Sequence, residues 1–169
     1  LESLDAVRSG AAQMAYGAPY YWTNVSNATQ FVACLPFGLT AQEQNAWCYY
    51  GGGIEAADKA YNEIGVKFLP MGNTGNQMGG WFNKEITSTA DFDGLKFRMP
   101  GLGGEVLKTF GANIVLLAGP DVLPALASGA IDGTEWIGPA ADLGAGLYQA
   151  AKYYYNPGWH EPATILDCS

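Results

Sequence analysis

The sequence predicts an α/β fold of mixed sheets with flanking helices, and three observations carry that prediction. Short apolar runs bounded by glycine, proline or asparagine occur at 66–71, 95–99, 113–118, 130–136 and 153–155, the length and punctuation expected of buried strands. Helical periodicity or helix-start signals fill the intervals at 104–110, 120–128 and 139–152, and at 54–64 ahead of the first run. Strands that alternate with helices imply a sheet with parallel pairs.

The elements follow in order. Leu1, Leu4 and Val7 fall at helical spacing, and Gly10 reads as the stop. Residues 13–19 read as a short strand, followed by the aromatic cluster Tyr20, Tyr21 and Trp22. Thr40 and Glu43 have capping-box spacing, so a helix is expected toward Tyr49. Glycines 51–53 interrupt it, a second helix occupies 54–64, and Gly65 ends that one. After the strand at 66–71, residues 88–91 read as a turn or short helix. The strand at 95–99 closes on Pro100 and Gly101, and the helix at 104–110 stops at Gly111. Pro120 sits near the first position of the next helix, which ends at Ser128 and Gly129. Residues 130–136 read as a strand, 139–152 as one helix, and 153–155 and 164–166 as strands.

At 169 residues the chain suits one domain or a part of something larger. Apolar residues make up 49% and charged residues 14%, a globular composition. The net charge is −8, with eight basic residues and no basic run, which argues against nucleic acid and anionic lipid as partners. No apolar run reaches the ~20 residues needed to span a bilayer. The chain opens without an initiator Met or a basic n-region, so no signal peptide is visible and the natural N-terminus is expected to be missing. Cys34, Cys48 and Cys168 are odd in number and leave at least one free thiol, with a Cys34–Cys48 bridge left open. The absence of CxxC and the single His160 exclude a Cys/His zinc set.

The stretch NTGNQMGGWF at 73–82 places Asn76 and Gln77 among glycines, directly after an apolar run. Glycine lets a ligand approach the backbone closely, although a plain surface loop has the same composition. Ligand sites in open α/β sheets form beyond the carboxyl ends of strands. Asn76 and Gln77 come after the 66–71 strand, Arg98 at the end of the 95–99 strand, Glu135 and Trp136 at the end of the 130–136 run, after residues 130–133, and Glu161 after the 153–155 strand. Arg98 lies inside an apolar run, where a guanidinium requires a partner. Its planar fork matches a carboxylate ligand, and the alternative is a structural ion pair with Asp91, Asp93 or Glu135. Glu135 and Glu161, with an amide oxygen and a backbone carbonyl, compose an all-oxygen site for Na⁺ or Ca²⁺; the alternative is two unrelated acids. No dinucleotide, nucleophile-elbow or phosphate-loop motif is present. A metal-dependent enzyme acting on a small carboxylate through Glu135 or Glu161 is the competing class, with His160 as a further candidate base or a packing residue. A scaffold without a small-molecule site is a third.

Four motifs in order, NTGNQMGGW (73–81), DGLKFRMPG (93–101), LASGAIDGTEW (126–136) and YYYNPGWHEP (153–162), resemble the solute receptors (DctP-type) of tripartite ATP-independent periplasmic (TRAP) transporters. The resemblance extends to LDAV at 4–7 and APYYW at 18–22, and is nearest to the 2-oxo acid and lactate binders. It implies a periplasmic binding protein-like fold, two lobes closing over a small organic anion. Lobe pieces are expected at 1–70, 71–135 and 136–169, the first lobe being incomplete. It implies that Arg98 holds the substrate carboxylate and that Asn76 and Gln77 contact the ligand. Tyr21 and Trp22 would wall the pocket. Gln77, Glu135, the Trp136 carbonyl and Glu161 would bind Na⁺ or Ca²⁺, with no organic cofactor and no chemistry on the ligand. The implied partners are pyruvate, another 2-oxo acid or lactate, and the TRAP permease subunits. The implied location is periplasmic. Family members are longer, so the chain is expected to be a central fragment that is less stable than the whole receptor or self-associates, for example as a homodimer.

Overall fold

The computed structural model describes residues 2–160 and the backbone of residues 163–168. Six helices and eight strands follow one another as α1 Ser3–Arg8, β1 Met14–Gly17, α2 Ala41–Tyr50, α3 Gly53–Glu63, β2 Lys67–Asn73, β3 Gly80–Phe82, β4 Lys96–Arg98, α4 Gly101–Lys108, β5 Asn113–Val115, α5 Gly119–Ser128, β6 Gly133–Thr134, α6 Pro139–Ala145, β7 Tyr153–Tyr155 and β8 Ala163–Cys168 among the described residues. Short 3-10 turns occupy Pro19–Trp22, Thr29–Val32, Thr89–Phe92 and Leu147–Gln149. The Thr40–Glu43 capping box at the start of α2 forms as expected.

The chain divides into two compact units, Leu1–Gly75 with His160–Ser169, and Asn76–Trp159. In the first, β8 lies between β1 and β2 in a three-stranded antiparallel sheet. The register of β2 shifts between Pro70 and Gly72. Pro70 has no N–H to donate, and an outer strand with an irregularity is where a sheet tolerates that. The α1 residues Leu4 and Val7 and the α3 residues Ala57 and Tyr61 pack with Trp22, Val32, Val66 and Phe68 as the core. Arg8 of α1 donates from Nε to the carbonyl of Ile64, at the end of α3, at 2.9 Å.

The second unit holds a five-stranded sheet in the order β5-β4-β6-β3-β7. β4 pairs in parallel with β5 and β6, while β3 pairs antiparallel with β6 and β7. One apolar cluster joins Phe82, Leu95, Phe97 and Met99 to Leu107 of α4. Another joins Val122 and Leu126 of α5 to Ile131, Leu147 and Ala151.

Several expectations are corrected. Residues 80–82, within the glycine-rich stretch at 73–82 where the sequence predicts no strand, form β3, because pairing on both sides stabilises three residues too short to show a period of two. Only Gly133 and Thr134 of the expected 130–136 strand are strand, so Glu135 and Trp136 leave the sheet at once. The expected helix at 139–152 ends at Ala145, since Gly146 takes φ +71° and closes it. The return to the first unit comes at His160, not at 136, and the first crossing at 75/76, not 70/71. The physical reason is that β7 pairs with β3, and that Leu147 and Ala151 enter the second unit's core.

Candidate anion and cation site

Strand alternation sends Phe97 into the cluster with Phe82 and Leu107, and Arg98 to the opposite face as the last residue of β4. Arg98 is 1% exposed. Its Nη1 donates to the Glu135 carbonyl at 3.1 Å and to Glu135 Oε2 at 3.2 Å, and its Nε donates to the Leu117 carbonyl at 3.3 Å. The guanidinium carbon lies 5.2 Å from the centre of the Trp136 ring, within cation–π range. Register explains the pairing. Arg98 sits opposite Thr134 of β6, and the Glu135 N–H donates to the Arg98 carbonyl at 3.1 Å, so Glu135 is delivered beside the guanidinium. Thr134 Oγ1 donates to the Glu135 carbonyl at 2.7 Å. Both charges are buried, and a buried charge of either sign requires the other close by.

The Trp136 ring is seated by Gly119, the first residue of α5. A Cβ on Gly119 would come within 2.8 Å of Trp136 Cη2. Beyond Trp136, the Ile137 N–H donates to Asp142 Oδ1 at 3.0 Å. Asp142 is fully buried, and its Oδ2 accepts from Trp81 Nε1 and from the Tyr154 hydroxyl, each at 2.9 Å. The Trp81 and Tyr154 rings stack at 4.0 Å. Burial, then the hydrogen bond and charge of Asp142, push the Tyr154 phenol above its usual range.

Gln77 is buried, and its segment is laid against two others. The Met78 N–H donates to the Ile137 carbonyl and the Gly79 N–H to the Tyr155 carbonyl, each at 2.9 Å. Gly158 presses on the same place. A Cβ there would lie 1.7 Å from the Gln77 carbonyl oxygen and 2.7 Å from Asn76 Oδ1.

Of the residues singled out in the sequence, Asn76, Gln77, Arg98, Glu135 and Trp136 all belong to the second unit. The structural ion-pair alternative for Arg98 finds its partner in Glu135, which is itself a candidate cation ligand. Asp91 instead caps the turn at Thr89–Phe92. Tyr21 and Trp22 belong to the first unit. Trp22 is buried and packed among Leu4, Val7, Tyr61 and Phe68. Tyr21 is half-buried and meets Tyr20 edge-on at 4.8 Å. Glu161 lies outside the described residues, and His160 is buried. Among the described residues, no group of three His, Cys, Asp or Glu side chains gathers as a metal cluster. The cation donors expected from the sequence are of a different kind: the Gln77 amide, the Glu135 carboxylate and the Trp136 carbonyl, all oxygens. Sequence reasoning missed Asp142, Trp81 and Tyr154. The available signal for Asp142 was its place in the first turn of a helix opening on Gly138 and Pro139, where a carboxylate satisfies backbone N–H groups.

An arginine and acidic pair at adjoining strand ends, beside a glycine-lined amide loop, is the candidate site. The chain belongs to the bacterial extracellular solute-binding proteins, family 7 (DctP), which it matches over residues 1–166. It is 48% identical over 167 residues to the monocarboxylate 2-oxoacid-binding periplasmic protein of Nostoc sp., a match covering 99% of this chain and 46% of that protein. A TRAP periplasmic solute binding protein from Colwellia psychrerythraea, solved with bound calcium and pyruvate, superposes with a TM-score of 0.95 at 45% identity, over 99% of this chain and 52% of the other. One from Pseudoalteromonas atlantica, with bound sodium and pyruvate, gives 0.93 at 47% identity, over 98% and 50%. A third, from Bordetella bronchiseptica, is a mixed-occupancy dimer with calcium and picolinate; it gives 0.95 at 38% identity, over 99% and 50%. The chain thus spans about half the length of these relatives. They are solute-binding proteins, and nothing in these matches supports the metal-dependent enzyme alternative.

Proposed function

We propose that this protein captures a small 2-oxo or 2-hydroxy monocarboxylate, of the size of pyruvate or lactate, together with Ca²⁺ or Na⁺, in the periplasm, and delivers it to the membrane subunits of a TRAP transporter. The observation that carries the reading is the buried Arg98, oriented by Glu135, the Leu117 carbonyl and the Trp136 ring. It stands in a chain close to half identical to proteins solved with pyruvate and a cation. Arg98 would bind the ligand carboxylate, and Asn76 would contact the ligand from its loop. Gln77, Glu135 and the Trp136 carbonyl would hold the cation, with Glu161 as a further ligand. A bound cation supplies positive charge beside the ligand carboxylate. Glu135 would then balance two cations, the guanidinium and the metal, which couples ligand affinity to cation affinity.

Calorimetric titration with pyruvate tests this in calcium, in sodium, and after chelation with sodium replaced by choline. Binding in at least one cation, lost on its removal, with pyruvate recovered unchanged, is expected. No heat with pyruvate, lactate or longer 2-oxo acids in either cation would refute the reading, as would conversion of the ligand. A homodimer, the state of the Bordetella bronchiseptica relative, is the proposed assembly, and purely monomeric sedimentation during those titrations would exclude it.

A further inference from the structure

We propose that Asp142 is a positioning residue for the cation ligands, an inference that rests on the cation reading above. Three donors from three places in the fold converge on its buried carboxylate. They are the Ile137 N–H after β6, the Trp81 indole on β3 and the Tyr154 hydroxyl on β7. The first is the informative one. A peptide unit is planar, so the Ile137 N–H and the Trp136 carbonyl form one rigid group with the two bonds pointing in opposite directions. An acceptor that fixes the N–H therefore fixes where the Trp136 carbonyl points. A hydrogen bond from the N–H to a carboxylate also polarises the amide, which makes its carbonyl oxygen a better cation donor.

The tie extends to the second backbone segment. The Ile137 carbonyl accepts from the Met78 N–H at 2.9 Å, and that N–H shares a peptide plane with the Gln77 carbonyl. One side chain thus holds residue 137, and residue 137 holds the loop that presents Gln77. Trp81 and Tyr154 fix Asp142 in turn, through hydrogen bonds from strands whose rings stack on each other. Outer partners of this kind orient metal ligands without touching the metal.

Asp142→Asn is the test, because it preserves shape and removes one acceptor. Whichever way the amide turns, its NH₂ faces either the Ile137 N–H or the two ring donors. Calcium binding is measured alone by calorimetry, and pyruvate binding at saturating calcium. Calcium affinity is expected to fall by about 10–100-fold, the usual cost of losing an outer partner of a metal ligand. Pyruvate affinity at saturating calcium is expected to recover to within about threefold of the unsubstituted protein, because the two sites are linked and Arg98 is untouched. A merely structural defect would not split in this way. If Asp142→Asn does not fold, Asp142→Glu carries the same test, since it keeps a carboxylate but shifts its oxygens by a methylene. Tyr154→Phe removes one of the donors that fix Asp142 but leaves the Trp81 and Ile137 contacts, so it is expected to lower calcium affinity clearly less than the Asp142 variants do. Unchanged calcium affinity in the Asp142 variants would overturn the proposal, and so would an equal loss in Tyr154→Phe. An unsubstituted protein that binds neither calcium nor sodium would overturn the cation reading itself, and this inference with it.

Discussion

Gly158→Ala is the substitution that most directly probes how the amide loop is held. The added Cβ would lie 1.7 Å from the Gln77 carbonyl oxygen, half of the 3.4 Å at which ordinary contact begins, and 2.7 Å from Asn76 Oδ1. Asn76 could turn its side chain aside. The Gln77 carbonyl could not, because its neighbours are pinned by the Met78–Ile137 and Gly79–Tyr155 hydrogen bonds. Overpacking of this kind costs about 1–3 kcal/mol. Breaking the two backbone bonds adds ~0.5–1.5 kcal/mol each. The expected destabilisation is therefore about 2–6 kcal/mol, read from urea melts. On the fraction that folds, displacement of Gln77 is expected to weaken calcium binding by about tenfold or more. Gly144→Ala serves as the control. It lies within α6 with nothing within 4 Å of its added Cβ, and should be neutral or stabilise by up to ~1 kcal/mol. A Gly158→Ala protein as stable as the control, with unchanged calcium and pyruvate affinity, would show that Gly158 does not hold this loop.

Arg98→Lys keeps the charge and loses the fork, and pyruvate binding is expected to weaken by roughly 1.5–3 kcal/mol in calorimetry; equal affinity would reduce Arg98 to a structural ion pair. Glu135→Gln should lower calcium affinity and, through it, pyruvate affinity. It should also destabilise the fold by about 3–5 kcal/mol, because Arg98 loses its buried counter-charge. Independence of pyruvate affinity from calcium in that variant would separate the two sites. Glu161→Gln is expected to show the same coupled loss of calcium and pyruvate affinity. Asp91 accepts from the Thr87 and Ser88 N–H groups at 2.8 Å each and from both hydroxyls, which holds its carboxyl at about 2, below the usual 3.8. A carboxyl depressed on folding stabilises above its unfolded value and loses that contribution as pH falls through the folded one. Asp91→Asn should therefore be less stable than the unsubstituted protein above about pH 4, with the gap closing toward about pH 2. A gap that does not shrink between about pH 4 and about pH 2 in denaturant melts would sink this account.

Much of the candidate site was legible because its chemistry is local. An arginine within an apolar run requires a partner, and amides, acids and aromatics directly after strands mark the end of a sheet where ligands bind. The capping box at Thr40 and the glycine stops at 10, 65, 111 and 129 were equally readable, since each acts within one turn of its own helix. The sequence alone also determined the mixed α/β class and, through four motifs in order, the family.

Tertiary structure decided which acid faces Arg98. Asp91 and Asp93 are nearer in sequence, yet the parallel pairing of β4 with β6 delivers Glu135. It made a strand of Gly80–Phe82, packed Trp22 into a core, kept residues 136–159 in the second unit and gave Asp142 its three donors. Trp81 reaches Asp142 across 61 positions of chain. Helix stops, caps and strand periodicity are energies of a few adjacent residues. A contact across that much chain is set by strand register and loop closure, which no short window of sequence contains.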